Sequence, residues 1–191
     1  MPSEHALYWL WSIWYASWLF SLFGAGKSQT RPNMRDHVLY QLATMAGLFL
    51  LFGPAYARIS PFRLWTTSEP AGWVLFTLTV LTFAFCWWAR IEMGKLWNGL
   101  ISRNADHRII DTGPFAIVRH PIYTGIILAA FLMAADLGTA VALAGAVFFF
   151  IAFWLKARLE ERFLREELGP QDYDAYRRRV PMLVPFGPKI A

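Results

Sequence analysis

A single cysteine, Cys86, occurs in the 191 residues, and it lies inside an apolar run. An internal disulfide is therefore impossible, a multi-thiolate zinc site is excluded, and the thiol reads as a small buried hydrophobe. Charge is scarce too. Asp, Glu, Lys and Arg make up 16% of the chain, against about 25% in soluble domains, and they bunch in short stretches. No G-x-G-x-x-G follows a strand pattern, and there is no P-loop, no H-E-x-x-H and no G-x-S-x-G, so a Rossmann nucleotide site, a zincin centre and a serine-hydrolase elbow are not supported. No repeat or low-complexity tract divides the chain. The net charge of +5 does not line one face but alternates with apolar spans, which argues for membrane topology rather than nucleic-acid binding. No metal is expected.

What the chain has in abundance is apolar and aromatic surface: 57% hydrophobic residues, with 10 tryptophans and 16 phenylalanines. Five apolar segments, at residues 6–23, 38–57, 71–89, 122–135 and 139–155, read as membrane-spanning helices, since about 17–25 residues cross the hydrocarbon core. None contains an internal charge. The fourth is short and is joined to the fifth only by Asp136, Leu137 and Gly138, which predicts a tight helical hairpin. The first span follows no basic residue and precedes no A-x-A site, so it reads as retained rather than as a cleaved signal. Arginines and lysines fall on one side of this layout, from Lys27, Arg31 and Arg35 to the run Arg177, Arg178 and Arg179, while Arg58 and Arg63 face the other. The positive-inside rule then places the N-terminus outside and the C-terminal tail in the cytoplasm. The expected architecture is an all-α, polytopic, single integral membrane domain over residues 1–191. Residues 1–90 form a three-span scaffold, and 91–191 carry a polar loop, the hairpin and a helical tail that together build the site.

Chemistry-bearing residues cluster at the cytoplasmic end of the hairpin. Gly113-Pro114 is a turn signal, and Pro121 suits the first turn of a helix, where a missing N–H costs nothing. Arg119 and His120 then project from the mouth of span four, with Tyr123 and Gly125 in its first turns. A lone arginine here reads as a topology-fixing cation and a lone histidine as an interfacial group with one partner. Together with the proline and the tyrosine hydroxyl they mark a site. Beyond span five come Lys156, Arg158, Glu160 and Glu161 on a continuing helix that Gly169-Pro170 stops. Lys156 and Glu160 share a helix face. The arginines at 177–179 suit anionic lipid headgroups at about 1 kcal/mol each.

At these residues the sequence resembles the isoprenylcysteine carboxyl methyltransferase family and the related membrane phospholipid methyltransferases. The resemblance rests on His107-x-Ile109-Ile110-x-x-Gly113-Pro114-Phe115, on Arg119-His120-Pro121-x-Tyr123-x-Gly125, and on Glu160-Glu161 with Gly169, Tyr173, Tyr176 and Val180-Pro181. It covers the last ninety residues or so. It implies a pocket for S-adenosylmethionine closed between loop, hairpin and tail, lined by His107, Ile109, Ile110, Gly113 and Phe115. Phe115 stands where the family often has tyrosine. By the same resemblance Arg119, His120 and Tyr123 contact the cofactor, Glu160 or Glu161 holds its polar end, and Lys156 or Arg158 faces a lipid-like or prenylated acceptor. Arg158 would position an acceptor carboxylate without protonating it, whereas an amine acceptor would need His120 or a glutamate to take a proton. An amine-methylating enzyme, an NADPH-dependent sterol-reductase relative and a non-catalytic membrane protein are the alternatives.

Overall fold

The computed structural model describes residues 3–21, 34–53, 62–94 and 109–189. His107 lies outside them, as do many of the cations behind the expected orientation. Within them the chain is all-helical: α1 (Ser3–Ser21), α2 (Met34–Phe52), α3 (Glu69–Met93), a 3₁₀ turn (Gly113–Ala116), α4 (Pro121–Leu137), α5 (Ala140–Leu168) and α6 (Pro170–Arg179).

The expected hairpin forms where the sequence places it. Gly138 takes a left-handed conformation at φ 63°, and its N–H bonds back to the carbonyl of Ala134, as a C-cap glycine does. Thr139 then caps α5, its hydroxyl accepting from the amide of Ala142 at 3.1 Å. Residues 62–68 strap across this turn. The amide of Leu64 donates to the carbonyl of Gly138 at 2.8 Å, and Trp65 Nε1 and Thr67 Oγ1 donate to the carbonyl of Ala135. Carbonyls at the end of α4 thereby find partners that the helix cannot supply.

α3 and α4 approach closely at Gly125. A Cβ there would stand 2.2 Å from Cys86 Sγ, so only glycine allows this crossing. The aromatic residues of α1 fill the centre: Trp14 stacks on Phe83 of α3 at 4.6 Å, and Trp11 meets Phe83 edge-on at 5.0 Å. Consecutive helices alternate in direction, so α1 and α3 run parallel while α2 runs against α5. The amide of Ser3, at the start of α1, donates to Glu69 at the start of α3 at 3.1 Å. Tyr40, near the start of α2, packs with Leu159, in the second half of α5.

Two of the helices, α3 and α5, are long and apolar enough to cross a membrane, and α2 and α4 carry shorter apolar stretches. Only 28% of the apolar window in α3 and 33% of that in α5 is buried, whereas a core helix of a soluble protein would be mostly covered. Large apolar side chains such as Ile13, Leu39, Met45, Phe49, Val74, Leu81 and Phe150 face outward. Exposed apolar side chains along several helices are the kind of surface that marks a membrane or partner interface.

Candidate active site

The mouth of the hairpin is shaped by backbone pairing with the tail. After α6 ends, the carbonyls of Pro181 and Met182 accept from the amides of Arg119 and His120 at 2.9 and 3.1 Å, and Thr124 Oγ1 donates to the carbonyl of Leu183 at 2.6 Å. Tyr176 Oη reaches the carbonyl of Phe115 at 2.7 Å. The tail thus closes over the 3₁₀ turn and the start of α4, which lie far from it in sequence.

Within this closure lies a charged cluster. Arg119, whose side chain is 2% exposed, donates from Nε to Glu161 Oε1 at 2.6 Å. Its Nη1 reaches the carbonyls of Arg177, at 3.1 Å, and of Val180. Arg177 Nε approaches the other Glu161 oxygen at 3.4 Å. His120 lies between the two glutamates, with Nδ1 3.5 Å from Glu160 Oε2 and Nε2 3.3 Å from Glu161 Oε1. Burial disfavours the imidazolium, but hydrogen bonds and charge from Glu160 and Glu161 outweigh it and raise the His120 pKa above 6.5. The His120 ring also stacks parallel to Tyr123 at 5.4 Å, and Tyr123 Oη donates to Glu160 Oε1 at 2.5 Å. Lys156 completes the group, its Nζ 5.1 Å from the centre of the Tyr123 ring and 5.8 Å from that of Tyr40. On the flank, Arg165 forks onto Asp174 and, with Arg177, holds that carboxyl at about 2, bracing α6 against α5.

A cavity of about 700 Å³ opens onto this cluster. Its polar end is walled by Arg119, His120, Tyr123, Lys156 and Glu160, with Ile109, Ile110, Phe115 and Tyr173 beside them. Eight of the residues expected from sequence are therefore brought together. Glu161 is not in the wall; it lies behind it, 5% exposed, and holds Arg119 and His120 from the rear. Gly113 is also outside the lining: it faces Glu92 and Trp88 at φ 54° and turns the chain into the 3₁₀ helix. Arg158 is not brought to the cavity. Its guanidinium rests over the Trp154 ring at 5.4 Å, apart from the cavity, because residues 156 and 158 are about 200° apart around α5.

The sequence reading missed the far end of the cavity. Tyr8, Trp11, Trp14 and Trp18 of α1, Thr44, Leu48 and Phe52 of α2, and Phe149 and Phe153 of α5 form a long apolar wall. The first ninety residues thus supply wall as well as scaffold. A signal was present, since positions 8, 11, 14 or 15, and 18 fall on one face of a helix. Aromatic residues at such spacing more often report packing, however, and only the tertiary contact shows them facing a void.

Residues 74–167 match the isoprenylcysteine carboxyl methyltransferase (ICMT) family. The chain is 32% identical over 160 residues to methanethiol S-methyltransferase 1 of Bradyrhizobium diazoefficiens, a match over 77% of this chain and 53% of that protein. It is 30% identical over 109 residues to protein-S-isoprenylcysteine O-methyltransferase of Schizosaccharomyces pombe, covering 52% of this chain and 43% of the relative. Protein-S-isoprenylcysteine O-methyltransferase B of Arabidopsis thaliana is 33% identical over 107 residues, covering 51% of each. The chain spans about half the length of these curated relatives.

Proposed function

Because the chain belongs to the isoprenylcysteine carboxyl methyltransferase family, we propose that it is a membrane methyltransferase that uses S-adenosylmethionine and methylates a lipid-like acceptor. The observation that carries this is the single cavity joining a charged end, at Arg119, His120, Glu160 and Lys156, to an aromatic arm reaching Trp11 and Trp14. A polar cofactor and an apolar acceptor can meet there without either crossing the other's environment.

The donor set at the polar end fits the cofactor. Glu160, an acceptor facing the cavity, suits an amino group, the faces of Tyr123 and Phe115 suit a cationic sulfonium, and Ile109, Ile110, Leu164 and Tyr173 offer an apolar slot for a flat base. S-adenosylmethionine supplies a methyl group already activated on sulfur. Alignment is then the main demand on the protein, and holding reactants in near-attack geometry is worth about 7–11 kcal/mol. Glu161 and the tail carbonyls lock Arg119, which in turn keeps the tail closed over the pocket. His120, with both ring nitrogens facing carboxylates, favours its protonated form and is a poor proton acceptor. That supports an acceptor that arrives ionised, such as a carboxylate, over an amine. Lys156, in the wall between the charged end and the apolar arm, is placed to attract the anionic end of such an acceptor.

Five helices, α1 to α5, would cross the bilayer in alternating directions, with the site at the cytoplasmic end; the antiparallel packing and the distribution of cations support this. A second reading, S-methylation of a small thiol, is favoured by the methanethiol S-methyltransferase relative, whose match covers 77% of this chain. Calorimetric titration of the detergent-purified protein with S-adenosylhomocysteine, with NADPH in parallel, tests the cofactor. Radiolabelled methyl transfer to a farnesylated cysteine analogue and to methanethiol then distinguishes the acceptors. Binding of NADPH alone would move the chain to the reductases, and saturable binding of neither would overturn the methyltransferase reading.

A further inference from the structure

Beyond α6, the chain runs back along the start of α4 and then turns outward at Val184-Pro185-Phe186-Gly187, closed by a bond from the amide of Gly187 to the carbonyl of Val184 at 2.9 Å. Phe186 is 99% exposed and Val184 59% exposed. Phe186 is also the one non-glycine residue with positive φ among the described residues, at 60°. A bulky residue held in the left-handed region while touching nothing is costly twice, in backbone strain and in apolar exposure. Such a cost persists where the residue has work to do.

Two further features say what covers it. Thr124, in the first turn of α4, holds the carbonyl of Leu183, so the turn lies level with the cytoplasmic end of that apolar helix. Exposed cations flank it in sequence: Arg178 and Arg179, the latter paired with Asp111 at 3.0 Å while remaining exposed, before and Lys189 after. An aromatic and an aliphatic tip between basic side chains matches the boundary between acyl chains and anionic headgroups. We propose that the turn Val184–Gly187 inserts into the cytoplasmic leaflet and anchors residues 180–183, whose carbonyls hold Arg119, His120 and Thr124, to the bilayer. The charged end of the cavity is then tied to the membrane that delivers the acceptor. The inference rests on the reading that α4 crosses the bilayer, and its test includes a control for that reading.

The variants Phe186→Cys and Val184→Cys, labelled at the introduced cysteine with an environment-sensitive fluorophore, would be reconstituted into phosphatidylcholine vesicles with and without phosphatidylglycerol. Cys86 is fully buried, and wild type treated with the same fluorophore corrects for any labelling there. Leu128→Cys, on the outward face of α4, and Glu166→Cys, on the exposed end of α5, serve as membrane and water references. The expected result is emission at 186 and 184 that is blue-shifted and quenched several-fold more by headgroup-region spin labels than at 166, with a larger effect in anionic vesicles. Water-like emission at both turn positions, with Leu128→Cys quenched by acyl-chain labels, would overturn the anchor alone. An unquenched Leu128→Cys would instead overturn the spanning reading on which the anchor stands.

Discussion

Replacing Glu161 by alanine should destabilise the protein by about 3 kcal/mol, and the reason lies in what its carboxylate leaves behind. Arg119 would keep its charge with a side chain only 2% exposed. Breaking a buried pair by removing one partner costs about 3–5 kcal/mol, because the surviving charge is desolvated and uncompensated. The lower end applies here, since Arg119 keeps the carbonyls of Val180 and Arg177 as acceptors and Arg177 keeps Asp174 at 3.0 Å. Removing both members should cost less than the sum of the single losses. A cycle of Glu161→Ala, Arg119→Met and the double variant, followed by chemical unfolding in mild detergent, should therefore give a coupling of about 2 kcal/mol. Glu160→Gln is the contrast. Its carboxylate faces the cavity with 19% of the side chain exposed, so this change should cost less stability than Glu161→Ala but abolish measurable S-adenosylhomocysteine binding. A Glu161→Ala loss under about 1 kcal/mol, the range of an exposed pair, would refute the reasoning, as would an additive cycle.

The folded pKa of His120 lies above 6.5, so the native state holds the proton more tightly than the unfolded chain. Its contribution is complete below 6.5 and lost as pH rises through the folded value; unfolding free energies measured across this window should fall, and His120→Gln should flatten the curve. At the α3–α4 crossing, Gly125→Ala should cost about 1–3 kcal/mol by overpacking against Cys86. Thermal unfolding of the same change in a Cys86→Ala background should recover most of that loss, and an equal loss in both backgrounds would refute the contact. Trp14→Ala should enlarge the apolar arm and raise the kcat/KM ratio for a longer over a shorter lipid acceptor by roughly tenfold; an unchanged ratio would mean the arm does not hold the acceptor.

The all-helical character, the α4–α5 hairpin and the residues of the polar end were legible in the sequence because each is a local matter. Gly138 and Thr139 stop and start helices through their own backbone and side-chain chemistry, Pro121 opens α4, and Gly169-Pro170 breaks α5 from α6. Charge placement alone points to one end of the bundle. Other assignments depended on rotation and contact. Glu160 and Glu161 are adjacent in sequence but about 100° apart around α5, so packing of α5 against α2 and α4 decides that the first faces the cavity and the second the buried arginine. The same rotation carries Lys156 to the cavity and Arg158 away from it.

By itself, then, the sequence determined the helices, their order and the chemical types gathered at the hairpin's mouth, since periodicity, capping and charge act over a few residues. Only the tertiary structure decided that the aromatic face of α1 walls the cavity, and that the tail's carbonyls lock Arg119. Those contacts join residues more than sixty positions apart, and no local preference specifies which faces of distant helices will meet.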